Sequence, residues 1–377
     1  MRGFPVEEFQ ARTARAQALM AKHDLGALLL TTEEHVRYFT GYLTRFWESP
    51  SRPWFLIVPA QGKPIAVIPS IGAALMGNTW IDDVRTWTSP NLVDDGIGLV
   101  VETLQQVAPN ARVGVPDGHE THIRMPYADV VKLSDHVTLV SDCDIMRSLR
   151  MIKSENEISK IRRACEIGGR AMQRVPEIAQ AGVPLEEVFR KFQILCLEEG
   201  ADWVPYVAGA AEPNGYPDVI SPAKSAPLQQ GDVLMLDTGL VWDGYFCDFD
   251  RNWSVGPASA EVREAHARLV EASDAAFECA RPGIRASDLF TVMRDIVGTG
   301  PSGTDPGRLG HGLGMSLTEW PSLIAADHTV LQEGMVLTLE PGVPVSSGLL
   351  VHEENIVITA TGAEYLSPRK SAEVIEL

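Results

Sequence analysis

The sequence predicts two domains, a smaller α/β unit over residues 1–150 and a larger α+β unit over residues 151–377. Three observations carry this reading. Helical and strand-like segments alternate as far as Arg150, the composition shifts there, and beyond it a helix pair followed by strands occurs twice. A chain of 377 residues also exceeds what one hydrophobic core usually supports.

In the first unit, Glu7 to Lys22 carries Phe9, Ala16, Leu19 and Met20 at helical spacing. Ala27 to Leu30 is an apolar run long enough for one buried strand. Pro53–Pro59 and Pro64–Pro69 read as strands joined through Gln61-Gly62-Lys63, and Arg112–Val115 and Val137–Val140 as two more. In the second unit, Ser154 and Glu157 form a capping box for a helix running to Val175. Pro184 opens a second helix, Ala260–Cys279 is a third, and Ser287 is the expected cap of a fourth ending at Val297. Strands are expected at Val233–Asp237, Tyr245–Arg251, Met335–Glu340 and Asn355–Thr359, and Ala208–Ala211 reads as a loop.

The charge balance excludes some functions. Lys+Arg number 32 against 50 Asp+Glu, a net charge of −18, which repels phosphate backbones and anionic membranes. No nucleic-acid or membrane partner is expected, and no apolar run reaches the ~18 residues of a membrane helix. The five cysteines stand singly and the first residues lack an apolar core, so a cytoplasmic location without disulfides is expected.

The chemistry concentrates between Asp237 and Glu354. Asp243-Gly244 is a strong two-residue hairpin signal; with those two in the turn, Gly239 lies opposite Asp248 and Asp237 opposite Asp250. Strand alternation then places Asp237, Asp248 and Asp250 on one face, among apolar neighbours that argue for burial. Three buried carboxylates repel one another and call for a cation. His311 lies between Gly310 and Gly312, which permit close backbone approach, and imidazole suits Zn, Fe, Co or Mn. Glu340 ends one apolar strand, and Glu353 and Glu354 head another.

This ordered Asp, Asp, His, Glu, Glu set resembles the pita-bread metallohydrolases, a group containing methionine aminopeptidase, aminopeptidase P, prolidase and the metal-free creatinase. The likeness covers residues 150–377, with a looser likeness of residues 1–150 to the creatinase/prolidase N-terminal domain. It implies a pita-bread fold with duplicated halves, and metal ligands at Asp237, Asp248, His311, Glu340 and Glu353. These would hold two divalent ions, Mn²⁺ first with Co²⁺, Zn²⁺ or Fe²⁺ as alternatives, and Asp248 and Glu353 would be shared. The expected activity is cleavage of a C–N bond in a small molecule or Xaa-Pro-type dipeptide by a homodimer. The apolar segment Phe46–Pro50 is the sequence motive for pairing, and Trp47 and Arg52 sit where they could reach a neighbour's pocket.

The departures from the peptidase pattern point to an alternative. Seven residues after His311, where the resembling peptidases carry a second histidine, stands Thr318, followed by Glu319. Asp218 stands near the place of another peptidase histidine, and Asp250 replaces a threonine. Asp218, Asp250, Thr318 and Glu319 are therefore the candidate catalytic residues. The alternative function is a lyase or amidohydrolase acting on a small osmolyte-like or betaine-like compound. Tyr206 and Trp203 are expected near the pocket wall, Cys247 and His352 are read as packing residues, and Arg251 is expected to pair with an acid of the site.

Overall fold

A computed structural model describes residues 2–48, 53–298, 307–369 and 373–377. The chain divides into two compact units, Met1–Arg150 and Met151–Leu377.

The first unit runs α1 (Val6–Lys22), β1 (Ala27–Leu30), α2 (Glu33–Thr40), β2 (Phe55–Pro59), β3 (Ile65–Pro69), α3 (Ala73–Met76), β4 (Val84–Trp87), α4 (Ile97–Val107), β5 (Arg112–Val115), α5 (Tyr127–Ser134), β6 (Thr138–Ser141) and α6 (Ile145–Met151). One sheet has the order β4-β3-β2-β1-β5-β6. The β1–β2 and β2–β3 pairs are antiparallel and the other three are parallel, so the sheet is mixed. The apolar runs of β1, β2 and β3 are buried at every position, as expected of strands covered on both faces. Phe46–Glu48 forms a short 3-10 turn. Trp47 is buried against Trp54, with ring centroids 5.7 Å apart and Arg124 over its face, so it serves this unit's own core. Ser49, Pro50 and Arg52 of the expected pairing segment lie outside the described residues.

The second unit runs α7 (Glu155–Gln173), α8 (Leu185–Glu198), β7 (Trp203–Pro213), β8 (Asp232–Trp242), β9 (Tyr245–Phe246), β10 (Phe249–Ser254), α9 (Ala260–Cys279), α10 (Ala286–Val297), β11 (His311–Gly312), β12 (Glu319–Ser322), β13 (Val336–Leu339), β14 (Gly342–Val345), β15 (Gly348–Val351), β16 (Glu354–Ile358), β17 (Ala363–Tyr365) and β18 (Ile375–Glu376). Two sheets follow the two helix pairs, β18-β10-β8-β7 with β9 beside β8, and β12-β11-β13-β16-β17. The capping box at Ser154 forms in both directions: Ser154 Oγ accepts from the Glu157 amide, and Glu157 Oε2 accepts from the Ser154 amide. The apolar faces of α9 and α10 close over Val233, Met235, Leu337, Leu339 and Ile356 from both sheets, forming one core.

Two expectations are corrected. Ala208–Ala211 is no loop but the centre of an 11-residue strand, β7, paired with β8 along most of its length. Alanine and glycine hide a strand in sequence, yet here small size is required: a Cβ on Gly209 would lie 2.1 Å from the Met235 carbonyl oxygen. Ser287 does not cap α10. The helix starts after Arg285, whose amide is held at 2.8 Å by Asp288 Oδ2, while the Ser287 hydroxyl lies 3.3 Å from His328 Nδ1.

Candidate active site

The first half of the site is the β8–β10 hairpin. Asp243 and Gly244 both have positive φ, 49° and 80°, as a type I′ turn requires. The register follows from that turn: Val241 faces Phe246 and Asp237 faces Asp250. Lys160 pairs with Asp243 and locks the turn from α7. Asp248 falls between β9 and β10, where its peptide leaves the ladder and is taken over by a side chain. Asn355 Oδ1 accepts its N–H at 3.0 Å, and Asn355 Nδ2 donates to its carbonyl.

The second half comes from β11, β13 and the approach to β16. Leu339 pairs with Glu354 and Thr338 with Asn355, which leaves Glu340 and Glu353 side by side just beyond the ladder. The His311 amide is bonded to Thr338 Oγ1 at 3.1 Å. The glycines around His311 are needed for close approach. A Cβ on Gly310 would lie 2.3 Å from the Thr338 oxygen, and one on Gly312 would lie 1.9 Å from the Trp320 oxygen.

The halves converge. Ligand-type atoms of Asp248, His311 and Glu353 all lie within 4.8 Å of one another, and all three residues are buried. His311 Nδ1 lies 2.8 Å from the Gly312 carbonyl oxygen, which can only accept, so Nδ1 carries the proton. Nε2 is then the nitrogen turned towards Asp248 Oδ2, 3.4 Å away. Asp237 Oδ1, Asp248 Oδ1 and Glu353 Oε1 are buried without a hydrogen-bond partner.

These carboxyls share one electrostatic fate. Burial, then the charges of Asp248 and Glu340, push Asp237 well above the usual carboxylate range, although Tyr206 hydrogen-bonds to it. Burial and Glu340 raise Asp248, and burial with Asp248, Glu340, Asp237 and Asp250 raises Glu353. Burial also raises Glu340, against the pull of His311 and Arg308. Burial and neighbouring Asp237 hold the Tyr206 phenol well above its ordinary value. Buried carboxylate oxygens without partners, facing an imidazole nitrogen, are the donor set of a divalent cation.

The structure thus brings together Asp237, Asp248, Asp250, His311, Glu340 and Glu353. Asp218 spends its carboxylate locally, accepting from the Ile220 and Ser221 amides and the Ser221 hydroxyl, which holds it below the usual range. Glu319 forms a buried ion pair with Lys153 at 3.0 Å and accepts from the Ser316 amide. Thr318 is half-buried in the bend before β12. Arg251 reaches the Glu353 carbonyl at 2.8 Å and pairs with Glu354 at 2.9 Å, so it serves the neighbour of the cluster. Asn355 and Lys153 support the site with little sign of it in the sequence. Their only signal is a polar group standing in an apolar strand or at a domain entry.

A chain with a carboxylate-histidine centre between two duplicated half-sites belongs among the metal-dependent hydrolases, and sequence comparison agrees. Metallopeptidase family M24 matches residues 159–360, and the Creatinase/Prolidase N-terminal domain matches residues 12–152. The chain belongs to metallopeptidase family M24. A probable dipeptidase, PepE, of Mycobacterium tuberculosis is 29% identical over 372 residues, 96% of this chain and 95% of that one. The Xaa-Pro dipeptidase of Pyrococcus horikoshii is 34% identical over 229 residues, 59% of this chain and 64% of that one. Among solved structures, the dipeptidase PepE from Mycobacterium ulcerans superposes with a TM-score of 0.85 at 27% identity, covering 99% of both chains. The prolidase from Pyrococcus horikoshii gives 0.83 at 25% identity, covering 97% of this chain and 100% of that one. The pita-bread arrangement behind a creatinase-type N-terminal domain is therefore the fold of this protein.

Proposed function

We propose that this protein hydrolyses the C–N bond of a small amide or dipeptide with two divalent ions held by Asp237, Asp248, His311, Glu340 and Glu353. The observation that supports it most is the meeting of Asp248, His311 and Glu353 within 4.8 Å, beside buried carboxylate oxygens without partners. When bound, divalent cations supply Lewis-acid activation of water and of the scissile carbonyl. The chain's own residues orient and exclude. The Gly312 carbonyl fixes the His311 tautomer, Asn355 fixes the Asp248 peptide, and Tyr206 holds Asp237. Mn²⁺ is the first candidate ion, on the largely hard-oxygen donor set. A cytoplasmic homodimer is part of this reading; among the described residues no helix is long and apolar enough to cross a membrane.

Asp250 favours a second reading of the substrate. Two divalent ions neutralise the four ligand carboxylates, Arg308 acts on Asp248 and Glu340, and Asp250 adds one further buried acid on the β10 side. Beside Asp250 a neutral or cationic substrate group is favoured over a carboxylate. A lyase or amidohydrolase acting on a betaine-like or other osmolyte-like compound fits that charge. The deciding experiment loads the protein with Mn²⁺ and compares Ala-Pro and Leu-Pro with small amides and betaines. Two amine-reactive fragments from the dipeptides support the peptidase reading, and an alkene released from an ammonio- or sulfonio-acid supports the second. Elemental analysis that finds no Mn²⁺ after reconstitution overturns the metal-dependent reading and moves the protein toward creatinase-like chemistry.

A further inference from the structure

Between Glu340 and Glu353 the chain makes the β14–β15 hairpin, with Gly342 paired to Val351. Its returning strand is seized by a residue far away in sequence. Tyr216 is fully buried, its amide donates to the Leu349 carbonyl at 3.1 Å, and the Leu349 amide returns a bond at 2.9 Å. Gly348 makes that approach feasible, because a Cβ there would lie 2.2 Å from the Tyr216 carbonyl oxygen.

The side chain extends the grip. Asn252 Nδ2 donates to the Val351 carbonyl at 2.6 Å, which fixes the amide so that Asn252 Oδ1 is the acceptor. The Tyr216 hydroxyl must then donate to that oxygen, at 3.0 Å, and its lone pair receives the Val351 N–H at 2.8 Å. Proton and lone pair are both committed, so this phenol does not act as a catalytic acid. Its position says what it does instead. Val351 stands two residues before Glu353, and Asn252 two residues after Asp250 on the same face of β10.

We propose that Tyr216 and Asn252 are a positioning pair that pins the Glu353 end of the β14–β15 hairpin to the Asp250 strand and thereby sets the spacing of the cation ligands. This rests on the reading of Glu353 as a ligand given above. The pair crosses the site through neutral groups, so it adds no charge to an already anionic centre. Partners that orient metal ligands typically cost 10–100-fold in metal affinity when removed.

The test titrates metal-free protein with Mn²⁺ alone, counting free ion by its EPR signal and recording the spectrum of the bound ion. Tyr216→Phe and Asn252→Ser should each weaken binding by about 10–100-fold and alter the bound-ion spectrum, with unchanged far-UV circular dichroism. The double variant should bind no more weakly than the worse single, because the two act through one contact. If Tyr216→Phe does not fold, Asn252→Ser carries the test, since it keeps the ring in place. Wild-type affinity within about twofold and an unchanged spectrum in the folded variants would overturn the positioning role. If that occurs while Glu353→Gln still loses Mn²⁺, the ligand reading stands alone. If wild-type protein binds no Mn²⁺, both fall.

Discussion

Glu353 and Glu354 are adjacent and equally buried, 2% and 3% exposed, yet they ionise in opposite directions. Burial raises both. At Glu353 the neighbouring charges are carboxylates, and the group is driven well above its ordinary range. At Glu354 the neighbours are Arg251, His352 and the Ser367 hydroxyl, which outweigh burial and pull it down to about 2. One strand crossing thus separates a completed ion network from an open one. Arg251 bonds Glu354, the carbonyls of Glu353 and Asp250, and Pro368. His352 lies 3.2 Å from Glu354, on that side of the strand. The satisfied side holds the fold, and the unsatisfied side is left for a ligand.

The contrast is broken most strongly by Asp248→Ala. It removes an acid facing both His311 and Glu353, and with it several kcal/mol of cation-derived transition-state stabilisation, on the order of 10⁴ in kcat. Bound Mn²⁺ should fall in parallel, while the melting temperature of metal-free protein should not drop, because one repelling carboxylate has gone. Equal turnover by wild type and variant would remove Asp248 from the centre.

Arg251→Met acts on the other side. It strands Glu354 as a buried charge and should cost about 3–5 kcal/mol of stability, read from urea unfolding. A loss comparable to that of an exposed arginine would mean the pair contributes little.

Next is the substrate shell. Thr318→His with Asp218→His should raise Xaa-Pro cleavage by up to about 10²–10³ in kcat, the usual worth of one positioned donor. Unmodified protein should stay below ~10⁴ M⁻¹s⁻¹ in kcat/KM on Ala-Pro, at the foot of the ordinary enzyme range. A higher value would leave the plain dipeptidase reading standing and the second reading without support.

The smallest effect is on pH. The cluster carboxyls have folded pKa values above the ordinary 3.8 and 4.5, so the folded protein holds more protons there than the unfolded chain. Metal-free protein should therefore lose stability as pH rises above that range, and Mn²⁺ should cancel the loss. Glu354 has the opposite sign. Its folded pKa is about 2 against 4.5, so its contribution is present above 4.5 and is lost as pH falls towards 2. Melting curves from pH 3 to pH 8, with and without Mn²⁺, separate the two. A metal-free profile flat across the upper part of that interval would contradict the open network.

What the sequence disclosed was local chemistry. Asp243-Gly244 specified its own hairpin and so the facing of Asp237 and Asp250, and Ser154 with Glu157 specified its own helix start. The glycines beside His311 announced a close approach whose partners, Thr338 and Trp320, are visible only in the fold. What stayed hidden was settled at long range. β7 is extended because β8 pairs with it, against the weak propensities of its alanines and Gly209. Glu319, a candidate acid–base residue by sequence, is bound by Lys153 from 166 residues away. Nothing adjacent to Tyr216 in sequence marks its hydroxyl for a role, and only the return of β15 gives it one.

The Asn355 amide carries one more implication. It clasps both sides of the Asp248 peptide from a strand 107 residues further on, and its oxygen also takes the Cys165 thiol at 3.2 Å. The Asp248 amide hydrogen is therefore shielded by the opposite half of the unit rather than by a neighbouring strand. Its exchange with solvent deuterium requires the halves to part, so it should be among the slowest in the unit and should report the free energy of that parting. A single peptide then gauges how firmly the two halves are joined, with no substrate needed to read it.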